Sequence, residues 1–588
     1  MGSLLLAMLA LLNGCGLDGQ GLDGQGADSA AMVTLAVANA PAPATVAAPS
    51  VSATTTSTAT ATALGASGAP MQFGAQTHFS QGWPMSTLTL ADQIAAPLLR
   101  DSLPWSVGEP ARGRYAFDGL AAQALGAACA SGKRLVLTIV PVHPAYDGGL
   151  WVWSDDGRAG YAAYLDALAT RFGTCLAGVE MGNEINGANV LKYPAGTDVP
   201  AAYVRMAQAV RARIGGRTAL LAASTNMIGT GFLKPYFAAG LLGQVDALTV
   251  HPYRLRGEGL DVELAHLNAV MDGYGRRLPV WATEFSVDTA DRAQAAGELV
   301  KQATLMAGAG VPQALWYALI DQRYFPNMGL FAGTAIKDQG KAFAVMQPIL
   351  ALGRPVRLDM GDPLVFAWRF GADTTVIWGS PRPLSVSGGS VVDPVGQPVG
   401  SATLGERPLI VRGTTAIGIG ASNWVADTLM GWGTAQWRYY ARTGTGSAPA
   451  DTALELWDDS YTSYYGGKWF KPLRINATSA AVAGTGSNPT RAVWRYTAPT
   501  AQSLDWRGCF AKANSGDGVD IVLARNGKPV WSGILVTRQQ PGPVALDLAA
   551  GDTVDLIVGP NQTFGGDAFN YRAVLFRRGT GTDVTCPG

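Results

Sequence analysis

Charge is scarce in this chain. Only 15% of its 588 residues are Asp, Glu, Lys or Arg, against about 25% in an average soluble protein. The 43 basic and 43 acidic residues cancel to a net charge of zero. A protein built to grip a polyanion carries a basic excess, so nucleic acid is excluded as a partner. The whole chain has four histidines and five cysteines. No cysteines form a Cys-x-x-Cys pair and none stands beside a histidine. The ligand spacing of a zinc site is therefore missing, and neither a metal nor a cofactor is expected. The apolar run 4–12 is well short of the roughly 20 residues that cross a bilayer as a helix.

What the chain does hold is apolar and aromatic. Apolar residues make up 48% of it, with 16 tryptophans, 18 tyrosines and 74 glycines. That composition suits a large core and surfaces that stack on flat, neutral, hydroxylated ligands such as sugars. The length suggests several domains.

The run 4–12 reads as an export signal. It ends in Leu12-Asn13-Gly14-Cys15, which resembles the lipobox of bacterial lipoproteins. That resemblance implies a signal peptide over 1–15, lipidation of Cys15 and anchoring on the periplasmic side of the outer membrane. A plain secretory signal with an incidental cysteine would export the chain equally. Residues 16–26 repeat Gly-Leu-Asp-Gly-Gln-Gly, and 27–70 are mostly Ala, Thr, Ser, Pro and Val, with no charge after Asp28. Such a stretch cannot bury enough surface to fold, so 16–70 reads as a disordered tether.

With Cys15 set aside, four cysteines remain, an even number suited to an oxidising compartment. Cys129 lies late in one predicted helix, and Cys175 follows the next. Neighbouring helices of a barrel can approach to bridging distance, so these two are expected to pair. Buried free thiols are the alternative there. Cys509, in a predicted strand, is expected to pair with Cys586 and pin the chain end.

From residue 71 short apolar runs alternate with helical patterns, the sign of βα units around a parallel sheet. Strands are predicted near 71–75, 97–101, 134–141, 178–182, 219–223, 247–251, 279–283 and 313–317. Helices are predicted over 119–131, 161–172, 201–214, 262–274 and 293–309, with Asp118 placed to cap the first. Eight such units over about 280 residues form a (β/α)₈ barrel, assigned to 71–350. A small β domain follows over 351–427. The period-two pattern of Val519-Asp520-Ile521-Val522-Leu523 places a C-terminal β-sandwich over 428–588.

Active sites of such barrels lie at the C-terminal strand ends. Strand four ends in Gly182-Asn183-Glu184 and strand seven in Ala282-Thr283-Glu284. Two carboxylates facing one cavity are what glycosidic bond hydrolysis requires. Other strand ends bring His78, Arg100, His143, Asn226, His251 with Tyr253, and Trp316. Three of the four histidines thus fall on one rim, and His266 lies in a helix. The loop after strand three adds Tyr146, Trp151 and Trp153, read either as stacking subsites or as loop packing.

These residues resemble the clan A glycoside hydrolases. Arg100-Asp101, Trp105, Glu109, Gly113 and Tyr115 are similar to the clan's second strand and loop, Asn183-Glu184 to its acid/base motif, and Glu284 to its nucleophile. Ile185 stands where many members have proline. With its appended β domain the chain most resembles glycoside hydrolase family 39, including members linked to bacterial exopolysaccharide operons. The resemblance implies a retaining hydrolase, endo-acting on a bacterial exopolysaccharide, with Glu184 as acid/base and Glu284 as nucleophile. Arg100 and Tyr253 would hold Glu284 charged, and Asn183 would bind the sugar 2-hydroxyl. His251 would shape the pocket and Trp316 would form its floor. The export machinery of the polymer is a further expected partner. A non-catalytic polysaccharide-binding or export scaffold protein on the same frame is the alternative. The Asp and Asn loops of the sandwich leave calcium open.

Overall fold

The computed structural model describes residues 57–58, 68–400, 403–413, 416–444 and 450–587. The signal segment, Cys15 and most of the tether lie outside the described residues. Eight parallel strands close into a barrel in chain order. They are β1 (Gln72–Gln76), β2 (Leu98–Asp101), β3 (Arg134–Ile139), β4 (Leu176–Met181), β5 (Ala219–Asn226), β6 (Ala247–His251), β7 (Val280–Phe285) and β8 (Gln313–Trp316). Closure is made by β1 against β8, with Gln72 opposite Gln313. Near that seam β1 needs Gly74, where a Cβ would stand 2.2 Å from the Leu98 carbonyl oxygen.

The strands are apolar along their length because both faces are covered. Leu98, Val136, Ala177, Leu221, Ala247, Trp281 and Leu315 fill the barrel. The opposite faces pack on an outer ring of helices: α1 (Leu88–Gln93), α2 (Leu120–Ala130), α3 (Asp155–Phe172), α4 (Val199–Ile214), α5 (Thr230–Ala238), α6 (Leu260–Gly273), α7 (Arg292–Ala309) and α8 (Asp338–Leu350). Side-chain caps start three of them. Ser154 accepts from Gly157 N, Asp198 from Ala201 N and Asp291 from Gln294 N, meeting donors that the first turn leaves free. Asp118 does not cap α2 as expected. Gly119 holds that position with no side-chain cap, and the Asp118 carbonyl accepts from Gln123 instead.

The chain then forms two antiparallel β units. The smaller has a five-stranded and a four-stranded sheet, and it covers α7, where Gly308 abuts Trp368. Ser57–Thr58, within the stretch read as tether, pairs antiparallel with Ala416–Ile419 of this unit. The larger is a sandwich of nine- and seven-stranded sheets. Trp424–Asp427 already belongs to it, because that strand pairs with Phe569–Arg577. The expected boundary at 427/428 therefore moves a few residues toward the N-terminus. Both expected disulfides are present, Cys129–Cys175 and Cys509–Cys586, with Cα separations of 5.6 and 5.0 Å.

The three units meet through buried charge. Arg572 on the sandwich donates to Asp427 at 2.7 Å and to Glu406 of the small unit at 3.0 Å. Asp458, at a strand end of the sandwich, is bound by Lys234 and His266 of the barrel at 2.5 and 2.9 Å.

Candidate active site

At the C-terminal rim of the barrel, β4 does not end smoothly. Gly182 has φ +104° and Glu184 φ +47°, a left-handed conformation that a non-glycine residue adopts at a cost and that clusters at functional sites. A Cβ at Gly182 would fall 2.8 Å from the Trp151 ring, so only glycine lets the chain turn here. The turn presents the Glu184 carboxylate beside β5 and β6. Asn226 Nδ2 donates to Glu184 Oε1 at 2.9 Å, and His251 Nδ1 lies 3.2 Å from the same oxygen.

Glu284, on β7, is held from three sides. Arg100 Nη1 donates to Oε1, Tyr253 Oη donates to Oε2 at 2.6 Å, and His251 Nδ1 lies 3.5 Å from Oε2. Burial alone would push this carboxyl up. The charges of His251 and Arg100 and the Tyr253 hydrogen bond outweigh it and hold the group below its ordinary value. His251 shows the reciprocal effect. Burial works against its charge, yet Glu284 and the hydrogen bond to Glu184 raise its pKa. Its Nε2 is anchored on Ser224 Oγ at 3.1 Å.

Under this pair lies a third carboxylate, Glu180, which the sequence reading missed. It is fully buried and takes Arg100 Nη2 at 2.6 Å, Arg100 Nε at 2.9 Å, Thr138 Oγ1 at 2.6 Å and Thr283 Oγ1 at 2.7 Å. Burial opposes its charge, but Arg100, His251 and the two hydroxyls hold it down at about 2. Arg100 is thereby clamped between Glu180 and Glu284, and it also donates to Gln76 and Asn183. The available signal was a lone glutamate inside the apolar run of β4.

The expected residues thus divide. Glu184, Glu284, Arg100, Asn183, Asn226, His251 and Tyr253 form one hydrogen-bonded constellation. His78 borders it, edge-on to Tyr317 with ring centroids 5.5 Å apart. Burial lowers the His78 pKa to about 4, Glu284 raising it and Arg100 lowering it, and its Nε2 is a buried atom without a hydrogen-bond partner.

Trp316 and His143 need correction, and Tyr146 and Trp151 follow the loop-packing alternative. Trp316 is not the floor, because its ring has no exposed surface and its Nε1 donates to the Met328 carbonyl. Half-buried Tyr317, the next residue, packs edge-on to His78 and Tyr253 beside the carboxylates. His143, Tyr146 and Trp151 are buried packing rather than open subsites. His143 Nε2 meets the Glu109 carbonyl and Tyr146 Oη donates to Glu109 Oε1. Trp105 stacks on Tyr146 and donates to the same carboxylate. Trp153 is exposed.

One atom each from Glu184, His251 and Glu284 lie within 4.8 Å of one another. The set has the donor chemistry of a divalent cation site, but those atoms are engaged with one another and with Asn226 and Tyr253. Two carboxylates this close, one on a pocket edge and one locked ionised, are suited to attack and proton transfer at a single centre.

No family model matches the chain, and no curated protein is similar to it. Solved structures do share its fold. A family 39 glycoside hydrolase from Bacteroides cellulosilyticus WH2 superposes with a TM-score of 0.50 at 18% identity, covering 58% of this chain and 81% of its own. A family 30 endoxylanase from Clostridium papyrosolvens C71 gives 0.46 at 15% identity, covering 61% and 98%. A family 39 β-xylosidase from Caulobacter crescentus gives 0.40 at 16% identity, covering 56% and 81%.

Proposed function

We propose that the chain is a retaining glycoside hydrolase that cleaves a polysaccharide by double displacement. The observation that carries this reading is the pair Glu184 and Glu284, on the ends of β4 and β7, with carboxylate oxygens within 4.8 Å. Carboxyl groups about 5–5.5 Å apart leave no room for an interposed water and permit direct attack on the anomeric carbon. The barrel shared with solved glycoside hydrolases supports it.

In the first step Glu284 attacks the anomeric carbon while the protonated Glu184 gives its proton to the glycosidic oxygen. The carbon–oxygen bond breaks, the leaving sugar departs, and a glycosyl ester remains on Glu284. Glu184, now a carboxylate, takes a proton from water as the water oxygen attacks the same carbon, and Glu284 is released. Asn183 offers its amide to the sugar 2-hydroxyl, its Oδ1 being engaged by Arg100. Tyr317 and His78 line the sugar ring.

The substrate we propose is a bacterial exopolysaccharide, cut internally. The enzyme is exported and lipid-anchored at Cys15 on the periplasmic face of the outer membrane, near the machinery that exports the polymer. Digestion of a panel of soluble bacterial exopolysaccharides, with product sizes read by mass spectrometry, tests substrate and mode. NMR of the first product should show retained anomeric configuration. Inversion would remove Glu284 from the nucleophile's role.

A further inference from the structure

The C-terminal sandwich reaches the rim beside Glu184. Its turn at 458–462 is seated on the barrel next to the acid/base glutamate. Asn186, two residues beyond Glu184, donates its Nδ2 to the Ser460 carbonyl at 2.6 Å and to the Asn226 carbonyl at 2.9 Å. Its Oδ1 accepts from Asn226 N at 2.8 Å, and Asn226 Nδ2 reaches Glu184 Oε1 at 2.9 Å. Two asparagines therefore span the distance from the sandwich backbone to the carboxylate.

The barrel is shaped to receive this turn. A Cβ at Gly229 would stand 2.7 Å from the Ser460 carbonyl oxygen, and one at Gly231 would stand 2.4 Å from that of Asp459. Side chains at either position would force the turn away. The turn is itself rigid: Asp459 Oδ1 accepts from Tyr461 N at 2.7 Å and Thr462 N at 2.8 Å, while Oδ2 takes Arg474 at 3.0 Å. Asp458, one residue earlier, is pinned by Lys234, His266 and Ser463.

Tyr461, the residue after Ser460, is half-buried at this junction. Burial pushes its phenol pKa up, and the charges of Asp459 and Glu184 add to the rise; its backbone follows directly on the Ser460 carbonyl that Asn186 holds. The direct hydrogen bonds to both carboxylates come from barrel residues, Asn226 and His251 to Glu184 and Arg100 and Tyr253 to Glu284. The link onward to the sandwich runs from the Glu184 side through Asn226 and Asn186.

We infer that the 458–462 turn forms the wall of the cleft that holds the departing sugar, with Tyr461 as its binding platform. This rests on the hydrolase reading, because the acid that protonates the leaving oxygen stands between the two sugars. The groups that crowd Glu184 from outside the barrel therefore meet the sugar that leaves. The chemistry fits: an aromatic ring offers a sugar an apolar face and a hydroxyl.

The test uses the full chain with Tyr461→Ala or Tyr461→Phe, on the exopolysaccharide of the panel cleaved fastest by the parent. Tyr461→Ala should raise KM about tenfold and change kcat less, while Tyr461→Phe, which keeps the ring, should stay within about threefold of the parent. Affinity electrophoresis through gels containing each panel polysaccharide gives a second readout without turnover. There Glu284→Gln/Tyr461→Ala should be less retarded than Glu284→Gln alone. If the alanine variant folds poorly, Tyr461→Leu carries the same measurements. Parental KM and parental retardation in the ring-less variant overturn the inference and leave the hydrolase reading standing. A parent retarded by a polysaccharide but cleaving none overturns the hydrolase reading and with it the departing-sugar role, and the gel comparison then decides only whether Tyr461 binds polysaccharide. A parent neither cleaving nor retarded overturns both.

Discussion

A guanidinium as buried as that of Arg100, 2% exposed, needs an acceptor for each donor it carries. Here the acceptors are Glu180, Glu284, Gln76 and Asn183. Arg100→Met would leave two carboxylates unpaired in the interior, and breaking such a pair costs about 3–5 kcal/mol. Denaturant unfolding should show a loss of that size together with loss of activity. Glu180 makes the same network depend on pH. Its pKa falls from 4.5 to about 2 on folding, so its contribution is complete above pH 4.5 and disappears as pH drops through 2. That contribution is about 3 kcal/mol, and Glu180→Gln should flatten the acid side of the stability curve. Glu284 carries the corresponding effect on rate. Tyr253 stabilises its ionised form, so Tyr253→Phe should raise its pKa and move the acid limb of kcat/KM to higher pH. A hydrogen bond to a charged group is worth about 1.5–3 kcal/mol, or roughly one to two pH units. Glu184→Gln and Glu284→Gln should each lower turnover by at least roughly 10²–10⁴-fold while circular dichroism shows a folded protein. Near-parental turnover in either would end its assignment.

Among elements, β4 and β8 show where sequence can be read and where it cannot. The eight strands are legible as apolar runs, and Glu184 and Glu284 stand out because a charge follows each run. Within the runs the information fades. All four residues of β8 are buried, so alternation of apolar and polar residues, which elsewhere tells one face from the other, is erased. That is why Trp316 reads as the floor when its ring is buried. Tyr146 and Trp151 stay undecided in sequence for a related reason. An aromatic loop residue looks the same in sequence whether it faces a ligand or packs inward, as Tyr146 does on Glu109 and Trp151 on Tyr193 and Tyr203. The cysteine pairing was legible because helix order on the barrel is fixed by strand order. Cys129–Cys175 ties the end of α2 to the entrance of β4. Replacing both cysteines by serine should cost about 2–4 kcal/mol, measurable by denaturant unfolding, and non-reducing peptide mapping should recover both bridges.

At the scale of the whole molecule, barrel and sandwich are joined by ion pairs to one buried carboxylate, Asp458. Asp458, whose side chain is 2% exposed, takes Lys234 and His266 from the barrel. Burial raises its pKa, but the hydrogen bonds from His266, Lys234 and Ser463 outweigh that and hold it below 3.8. The docking therefore holds above that pH and weakens as the carboxylate is protonated below it. Asp458→Ala should separate the thermal unfolding of barrel and sandwich into two calorimetric transitions where the parent shows one. A single unchanged transition would mean that the remaining barrel–sandwich contacts, such as Asn186 to the Ser460 carbonyl, hold the two units together without it.

Strand order in the sandwich also sets a timetable. Phe569–Arg577, the last strand in chain order, lies within the sheet, paired with Gln502–Lys512, with Ser479–Ala481 and with Trp424–Asp427. During synthesis the sheet must wait for it with a gap at its middle. A nascent chain can complete its barrel while the wall beside Glu184 still lacks the support behind it. The sheet then closes late, when residue 577 joins it, and a chain interrupted before that strand would carry an unfinished sandwich.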